Sequence, residues 1–134
     1  MPEFKWRREA RRIIFPATIL APAPATNLTF VAAQALLDTG STTSGVSREI
    51  AGQLNLPQLG KRPLGSAHGE AQVERFLFRI GFQMEDISFP FVFEEVDGFE
   101  LRDGFAFNAL IGMDVLGQCD FLMDRAGRCR LGFG

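Results

Sequence analysis

Residues 35–41 read Ala-Leu-Leu-Asp-Thr-Gly-Ser, an apolar run that leads into an acidic, glycine-containing turn. The apolar residues predict a buried strand, and the four residues from Asp38 onward predict the turn that ends it. An aspartate at the end of a buried strand is held rigidly, which acid–base chemistry requires. Asp-Thr-Gly occurs once in the chain. Chemistry that needs two facing carboxylates therefore needs two copies of the protein.

The bulk composition is that of one globular domain of ordinary size. The chain has 134 residues, of which 46% are hydrophobic and 22% charged, with a net charge of -2. This charge argues against a nucleic-acid-binding surface over the whole molecule. No apolar run reaches the length of about 18 residues that a membrane span needs. We therefore predict no nucleic-acid partner and no membrane span.

The residue types that bind metals or form disulfides are scarce. His68 is the only histidine, and Cys119 and Cys129 are the only cysteines. Two cysteines make no disulfide framework, so we interpret them as reduced, semi-buried thiols. One histidine and two dispersed cysteines supply no metal-ligand set, and we predict neither a metal nor another cofactor. The Ser/Thr-rich residues 41–47 have no histidine base nearby, which argues against serine hydrolysis.

The N-terminal region allows two interpretations. Residues 1–12 are rich in Lys and Arg and predict a charged arm. Residues 13–25 form a short apolar stretch followed by Pro and Ala, a pattern that an export signal shares. Pro16 interrupts that stretch, which reads equally well as a first strand and turn. We predict a cytoplasmic protein, with export as the alternative.

β-Branched, aromatic and apolar runs, and alternation over 76–82 and 87–93, predict strands through most of the chain. Residues 13–20 and 28–37 predict a hairpin with Asp38 at its tip. A short helix over 47–54 begins at a Ser47 cap. Further strands are predicted on both sides of a small-residue tip at 65–70 and over 76–82, 87–93 and 108–111.

The remaining segments predict connections and a closing hairpin. Pro90 places its strand at a sheet edge, because proline cannot donate to a ladder. The acidic residues 94–104 predict a loop, and residues 112–118 predict one or two helical turns with Asp114 at their start. Residues 121–131 predict the last hairpin. We find no internal repeat, and the pattern indicates an all-β domain.

The Asp38 motif together with residues 109–116, Ala-Leu-Ile-Gly-Met-Asp-Val-Leu, resembles the retropepsin-type aspartic proteases. A glycine-tipped hairpin lies between the two motifs, as in that family. The resemblance covers roughly residues 13–134 and is closest to the cellular and bacterial members. It implies a single-domain acid-protease fold with one or two short helices, active as a symmetric dimer, with residues 1–12 as an arm outside the domain.

The resemblance also implies roles for the residues of the first motif. Asp38 is the catalytic carboxylate, and Thr39 locks the two active-site loops together across the dimer axis. Gly40 lets the backbone approach the scissile peptide. Ser41 hydrogen-bonds the carboxylate, which favours its ionised form and shifts activity toward acid pH.

The substrate-binding set is implied in the same way. A flap that closes over bound peptide has its tip at Ser66, Ala67, His68 and Gly69. Ile111 belongs to the strand that passes beneath the catalytic loop, and we include it in this set. For His68 an exposed turn position without a role is the alternative. Asp114 is interpreted as structural, either at the helix start or as the partner of a nearby arginine.

These residues predict a homodimeric aspartic endopeptidase that hydrolyses peptide bonds with water activated between two Asp38 carboxylates. The other aspartates are interpreted as turn or hairpin residues: Asp97, Asp103, Asp120 and Asp124. One alternative is a catalytically silent peptide-binding or dimerisation module of the same fold. A second is an exported or surface-anchored factor in which residues 1–25 are the functional part.

Overall fold

The computed structural model describes residues 2–8, 11–66, 69–84, 90–102 and 104–133, with the backbone alone for 64–66 and 69–71. Strands dominate this part of the chain. The strands are β1 (Glu3–Arg7), β2 (Ile14–Leu20), β3 (Phe30–Leu37), β4 (Gly45–Ser47), β5 (Gln58–Ser66), β6 (Gly69–Phe82), β7 (Phe91–Leu101), β8 (Ala109–Ile111), β9 (Asp120–Met123) and β10 (Arg128–Gly132). The helices are α1 (Arg48–Gln53) and α2 (Met113–Leu116). The prediction of an all-β fold with two short helices is confirmed.

The strands form one large and one small sheet. The large sheet has the order β2-β3-β8-β4-β7-β6-β5, and β2 also pairs with β6. The small sheet has the order β1-β10-β9. Within the large sheet β2 and β3 form the predicted hairpin, while β3 and β8 run parallel with Leu37 opposite Ile111. Because parallel strands end at the same sheet edge, Asp38 lies beside Gly112.

Phenylalanine rings fill the space between the sheets. The ring of Phe82 lies between 5.5 and 5.9 Å, centroid to centroid, from the rings of Phe4, Phe15, Phe93 and Phe133. These five rings are all buried and come from strands of both sheets and from the C-terminal tail. Since Phe has no polar group to satisfy, the cluster joins the sheets through apolar burial alone.

Part of the segment predicted as a charged arm is a strand of the fold. Residues 3–7 form β1, which pairs antiparallel with β10 from Glu3 opposite Gly132 to Arg7 opposite Arg128. Phe4 is buried and Trp6 half-buried, while Lys5 is exposed. The alternation of charges with two aromatic residues is therefore that of a half-buried strand. The sequence analysis missed this strand because two aromatic positions among five basic residues are too few to reveal a period-two alternation.

The predicted loop over 94–104 is wrong, because most of it belongs to β7. One extra residue bulges from β7 where Phe78 pairs with Val96 and Ile80 with Phe93, and Glu95 adopts a φ of 54°. The bulge exposes both Glu94 and Glu95 and so breaks the apolar alternation on which strand prediction depends. The edge prediction is also wrong, because Pro90 precedes β7 and β7 lies between β4 and β6.

Other predicted elements are confirmed. Ser47 caps α1, since its Oγ accepts a hydrogen bond from the Ile50 backbone N at 3.2 Å. β5 and β6 form the hairpin between the two motifs, with Ser66 opposite Gly69 at its described tip. Ala67 and His68, the other two predicted tip residues, lie outside the described residues.

The structure describes both cysteines and most of the side chains that could bind a metal. Cys119 is half-buried, Cys129 is buried, and both are free thiols. Within the described ranges no group of three or more His, Cys, Asp or Glu side chains is arranged to hold a metal ion. In the same part of the chain no helix has the length and apolar character needed to cross a membrane.

Candidate active site

Asp38 lies at the end of β3 in a turn whose backbone is hydrogen-bonded to neighbouring strands. Its backbone N donates to the Ile111 carbonyl at 3.0 Å, which ties the turn to β8. Its side chain is half-buried, and Oδ1 accepts a hydrogen bond from the Gly40 backbone N at 2.9 Å. The carboxylate is thereby oriented by its own turn.

A buried serine and aspartate fix the far side of this turn. The hydroxyl of Ser44, which is fully buried, donates to Asp114 Oδ1 at 2.7 Å and accepts from the Gly112 backbone N at 3.0 Å. The Ser44 backbone N donates to the other Asp114 oxygen at 2.9 Å. Asp114 also accepts from the Val115 backbone N in the first turn of α2. The network joins the loop that follows Asp38, the end of β8 and α2.

This network gives Asp114 a structural role, in agreement with the prediction. Its partners are Ser44 and the start of the helix rather than an arginine. Sequence reasoning missed Ser44. The signal was available, because Ser44 closely follows the first motif, Asp114 lies within the second, and each can satisfy a buried polar group of the other.

Gly112 lets the loop at residues 41–43 pack directly against the end of β8. A Cβ at this position would lie 2.5 Å from the Thr43 carbonyl oxygen and 2.8 Å from that of Ser41. Two backbone hydrogen bonds from α2 close the same contact, from Met113 to Ser41 and from Asp114 to Thr42. A side chain here would therefore separate the loop from the helix.

The outer part of the turn is open. Thr39 and Gly40 are exposed, which leaves the Thr39 side chain accessible to another molecule. The Ser41 hydroxyl donates to the Thr43 carbonyl at 2.7 Å. The expected hydrogen bond from Ser41 to the carboxylate is therefore replaced by one within the loop, and Gly40 supplies the donor to Asp38.

A cleft of ≈ 380 Å³ opens beside Asp38. Its wall combines the turn with apolar residues from three segments: Phe99, Leu101, Phe105, Phe107 and Leu110. Ile111, which the sequence analysis placed in the substrate-binding set, is fully buried. Its neighbour Leu110 lines the cleft, and Ile111 acts through its carbonyl on the Asp38 backbone.

Two charged residues of β7 and its end also line the cleft. Glu100 forms an ion pair with Arg48, and its side chain is only 11% exposed. Arg102 is exposed and lines both this cleft and an adjoining one of ≈ 340 Å³. Because Glu100 is ion-paired with Arg48, Asp38 is the carboxylate in the described part of this cleft that no ion pair holds.

Comparison with solved structures decides the fold. The chain is similar to a retropepsin-like aspartic protease from Rickettsia conorii, with a TM-score of 0.63. The match covers 98% of this chain and 91% of that one at 16% sequence identity. The chain has the retropepsin-like fold. No protein-family model and no curated protein matches the sequence.

The turn that carries Asp38 lies between β3 and β4, and β8 lies between the same two strands in the sheet. The structure therefore brings together the site residues predicted from the first motif. Ser44, Asp114 and Leu110, which lines the cleft, lie beside them. Of the residues predicted to form a flap tip, Ser66 and Gly69 are paired through the backbone of β5 and β6.

Proposed function

We propose that the protein is a homodimeric aspartic endopeptidase. One observation carries the proposal: the single Asp-Thr-Gly turn, oriented by its own backbone, faces an open, largely apolar cleft in a retropepsin-like fold. Fold alone does not assign an activity, whereas an oriented carboxylate at a cleft is suited to one.

The chemistry follows from two facing carboxylates. Two aspartates a few ångström apart cannot both be ionised, so the pair holds one proton. The ionised member takes a proton from water as the water oxygen attacks the peptide carbonyl, and the neutral member donates to the carbonyl oxygen. The intermediate then collapses as its C–N bond breaks. The carboxyl group that took the proton from water donates it to the leaving nitrogen, and the other carboxylate takes a proton back from a hydroxyl of the intermediate, which restores the pair. The pair acts as one coupled titrating unit, which predicts a bell-shaped pH profile.

The second carboxylate comes from Asp38 of another copy. Glu100 is held in its ion pair with Arg48, and no second Asp-Thr-Gly exists in the chain. The exposure of Thr39 and Gly40 supports this arrangement, because a two-fold axis beside them would bring two turns face to face. Thr39 then locks the two turns together across the axis.

The substrate is an extended peptide. An extended chain gains main-chain hydrogen bonds as an added strand, and its alternate side chains enter pockets. The β5–β6 hairpin, with Ser66, Ala67, His68 and Gly69 at its tip, is the proposed flap. Phe99, Phe105 and Leu110 favour apolar side chains beside the cleaved bond.

We also propose that the protein groups with cellular and bacterial retropepsin-like enzymes and works in the cytoplasm. The full hairpin of β9 and β10 after α2 supports the grouping. The apolar stretch that resembles an export signal forms β2, in which Phe15, Ile19 and Leu20 are buried. Its use as a core strand supports the cytoplasmic location.

The test is cleavage of an unfolded protein substrate between pH 4 and 8 by the wild type and by Asp38→Asn. The wild type is expected to cleave, to be blocked by a statine-type inhibitor, and to lose at least a thousandfold in kcat/KM on substitution, on the order of the acid–base contribution. Asp97→Asn is the matched control, because Asp97 lies in an exposed ion pair with Arg75 away from the cleft.

Equal activity in Asp38→Asn and the wild type would refute the proposal. Saturable peptide binding by the wild type without cleavage at any pH would instead assign the protein as a binding module of the same fold. A third variant, Glu100→Gln, tests the source of the second carboxylate. Retained cleavage supports its origin in a second copy, and complete loss would place it within one chain.

A further inference from the structure

We propose that Arg102 selects peptides that carry an acidic side chain two residues away from the apolar side chain beside the cleaved bond. The inference rests on the proposed function, because it assigns the kind of substrate that the same cleft prefers. It goes further by adding a charged subsite to a cleft whose wall beside Asp38 is largely apolar.

The first observation is a second cavity of ≈ 340 Å³ that adjoins the cleft beside Asp38. Three residues line both cavities: Glu100, Leu101 and Arg102. The other lining residues of the second cavity come from α1 and β6: Arg48, Gln72 and Val73. The end of β7 is therefore a shared wall, with the Asp38 turn on one side and the stem of the β5–β6 hairpin on the other.

The two cavities differ in their chemistry. Apolar side chains form most of the wall of the first, whereas the second is lined mainly by charged and polar side chains: Arg48, Gln72, Glu100 and Arg102. A peptide side chain that reaches the second cavity therefore meets charged groups and hydrogen-bonding partners rather than an apolar pocket.

An ion pair determines the sign of the charge in the second cavity. Glu100 pairs with Arg48 and is only 11% exposed, so its negative charge is offset within the wall. Arg102 is exposed, and it forms no hydrogen bond or ion pair in the part of the chain that the structure describes. Two positive charges and one negative charge leave this wall with a net charge of +1. The cavity therefore favours an anionic side chain.

The spacing of an extended peptide connects the two cavities. Alternate side chains of an extended chain lie on the same face, about 7 Å apart. Because the cavities share a wall, a peptide with one side chain in the apolar cleft can place the next side chain of that face beside Arg102. The two-fold axis of the proposed dimer repeats the arrangement on the other side of the cleaved bond.

The guanidinium of Arg102 suits a carboxylate. Its planar fork of donors can form two parallel hydrogen bonds to the two carboxylate oxygens. A bound peptide also displaces water from the cavity, which reduces the screening of this charge. We therefore expect kcat/KM for a Glu side chain to exceed that for Gln, which has the same shape without the charge, by about tenfold.

The test compares two pools of peptides that are blocked at both ends and carry different fluorophores. Each pool has two adjacent leucines at its centre and randomised flanking positions, except that one pool has Glu and the other has Gln two residues before the first leucine. The wild type cleaves both pools in one reaction at pH 6. We expect the preference for the Glu pool at low ionic strength and a weaker preference in about 1 M salt, which screens the charge.

Two variants assign the preference to Arg102. Arg102→Gln is expected to reduce kcat/KM for the Glu pool to that for the Gln pool, and Arg102→Glu is expected to favour a third pool with Lys at the same position. Arg12→Gln is the matched control, since Arg12 is exposed and lines neither cavity, and it is expected to keep the preference. Equal cleavage of the Glu and Gln pools by the wild type, or an unchanged preference in Arg102→Gln, would overturn the inference.

Binding of the same pools, measured by fluorescence anisotropy, separates the subsite from the enzymatic activity. If the wild type binds the Glu pool more tightly through Arg102 but cleaves neither pool, the subsite stands and the proposed function fails. If cleavage depends on Asp38 but shows no preference for Glu, the subsite fails and the proposed function stands. A wild type that neither binds nor cleaves any pool would overturn both.

Discussion

At the scale of single residues, the geometry of the Asp38 turn depends on Ser44 and Asp114, which do not line the cleft. Asp114 accepts two hydrogen bonds from Ser44 and one from the backbone of Val115. Both of its oxygens are used, which only a carboxylate can do because it is an acceptor throughout. The second motif therefore supports the first, and this explains why an aspartate stands there without acting as an acid or base.

Asp114→Asn is expected to lower the free energy of unfolding by about 2–3 kcal/mol, because the amide turns one acceptor into a donor that faces another donor. Urea denaturation measures the loss. Glu74→Gln serves as the control, since the long ion pair of Glu74 with Lys61, at 4.0 Å with Lys61 exposed, contributes roughly 0–1 kcal/mol. Equal losses in the two variants would contradict the structural role of Asp114.

The Cys119 thiol gives a prediction that depends on pH. Burial, and then the negative charge of Asp120, raise the pKa of this thiol to about 11. Thiolate is therefore scarce in the folded protein at pH 8, and alkylation of Cys119 by iodoacetamide is expected to be at least about tenfold slower than in urea. Mass spectrometry of the labelled peptide checks this.

The same shift has a consequence for stability. The pKa of Cys119 is higher in the folded state than in the unfolded state, so burial of the protonated thiol contributes to the free energy of unfolding. This contribution is complete below the unfolded pKa of about 8.5. It is lost as pH rises from there toward about 11. Labelling of folded Cys119 as fast as in urea at pH 8 would contradict the burial.

At the scale of elements, a buried arginine holds the turn between β2 and β3. Arg79 is 1% exposed, and its guanidinium donates to the carbonyls of Ala21 at 2.6 Å, Ala25 at 3.1 Å and Asn27 at 2.5 Å. These carbonyls belong to a turn rich in proline and alanine, in which no regular strand pairing supplies backbone N–H donors. The arginine replaces the missing backbone donors.

Arg79→Met is expected to destabilise the protein by about 2–4 kcal/mol, since it leaves several carbonyls without a donor while filling similar volume. Thermal and urea unfolding measure this, with the exposed Arg12→Met as the control. Arg79→Lys restores the charge but not the fork of donors and is expected to recover only part of the loss. A neutral Arg79→Met would contradict this role.

The elements also show why sequence prediction succeeded in some places and failed in others. β-Branched and aromatic content located β2, an apolar run located β3, period-two alternation located β6, and the Ser47 cap located α1, because these signals are local. The bulge at Glu95 and the two-residue aromatic pattern of β1 carry weak local signals, and tertiary packing decides both. The Ser44–Asp114 pairing spans 70 residues and could be inferred only from the way the motifs meet.

At the scale of the whole molecule, N-terminal strands complete both sheets. β1 pairs with β10 in the small sheet, and β2 pairs with both β3 and β6 in the large one. Phe15 of β2 and Phe4 of β1 belong to the aromatic cluster, with centroids 5.8 Å apart. The N-terminal residues are therefore part of the core.

Removal of residues 1–25 is expected to prevent folding, because it deletes both strands and leaves the aromatic cluster open. The readouts are dispersion in an NMR spectrum and cooperative thermal unfolding. A truncated protein that unfolds cooperatively at the temperature of the full chain would show that these residues are dispensable, as an export signal would be.

The central claim is that catalysis uses one Asp38 from each of two chains. Its most direct test mixes wild-type and Asp38→Asn subunits, refolded together at a fixed total concentration, and measures cleavage against the wild-type fraction. If both carboxylates are needed, only wild-type pairs are active, and activity falls with the square of that fraction. Activity that falls in simple proportion to the wild-type fraction would show that one chain holds a complete site, and would contradict the account.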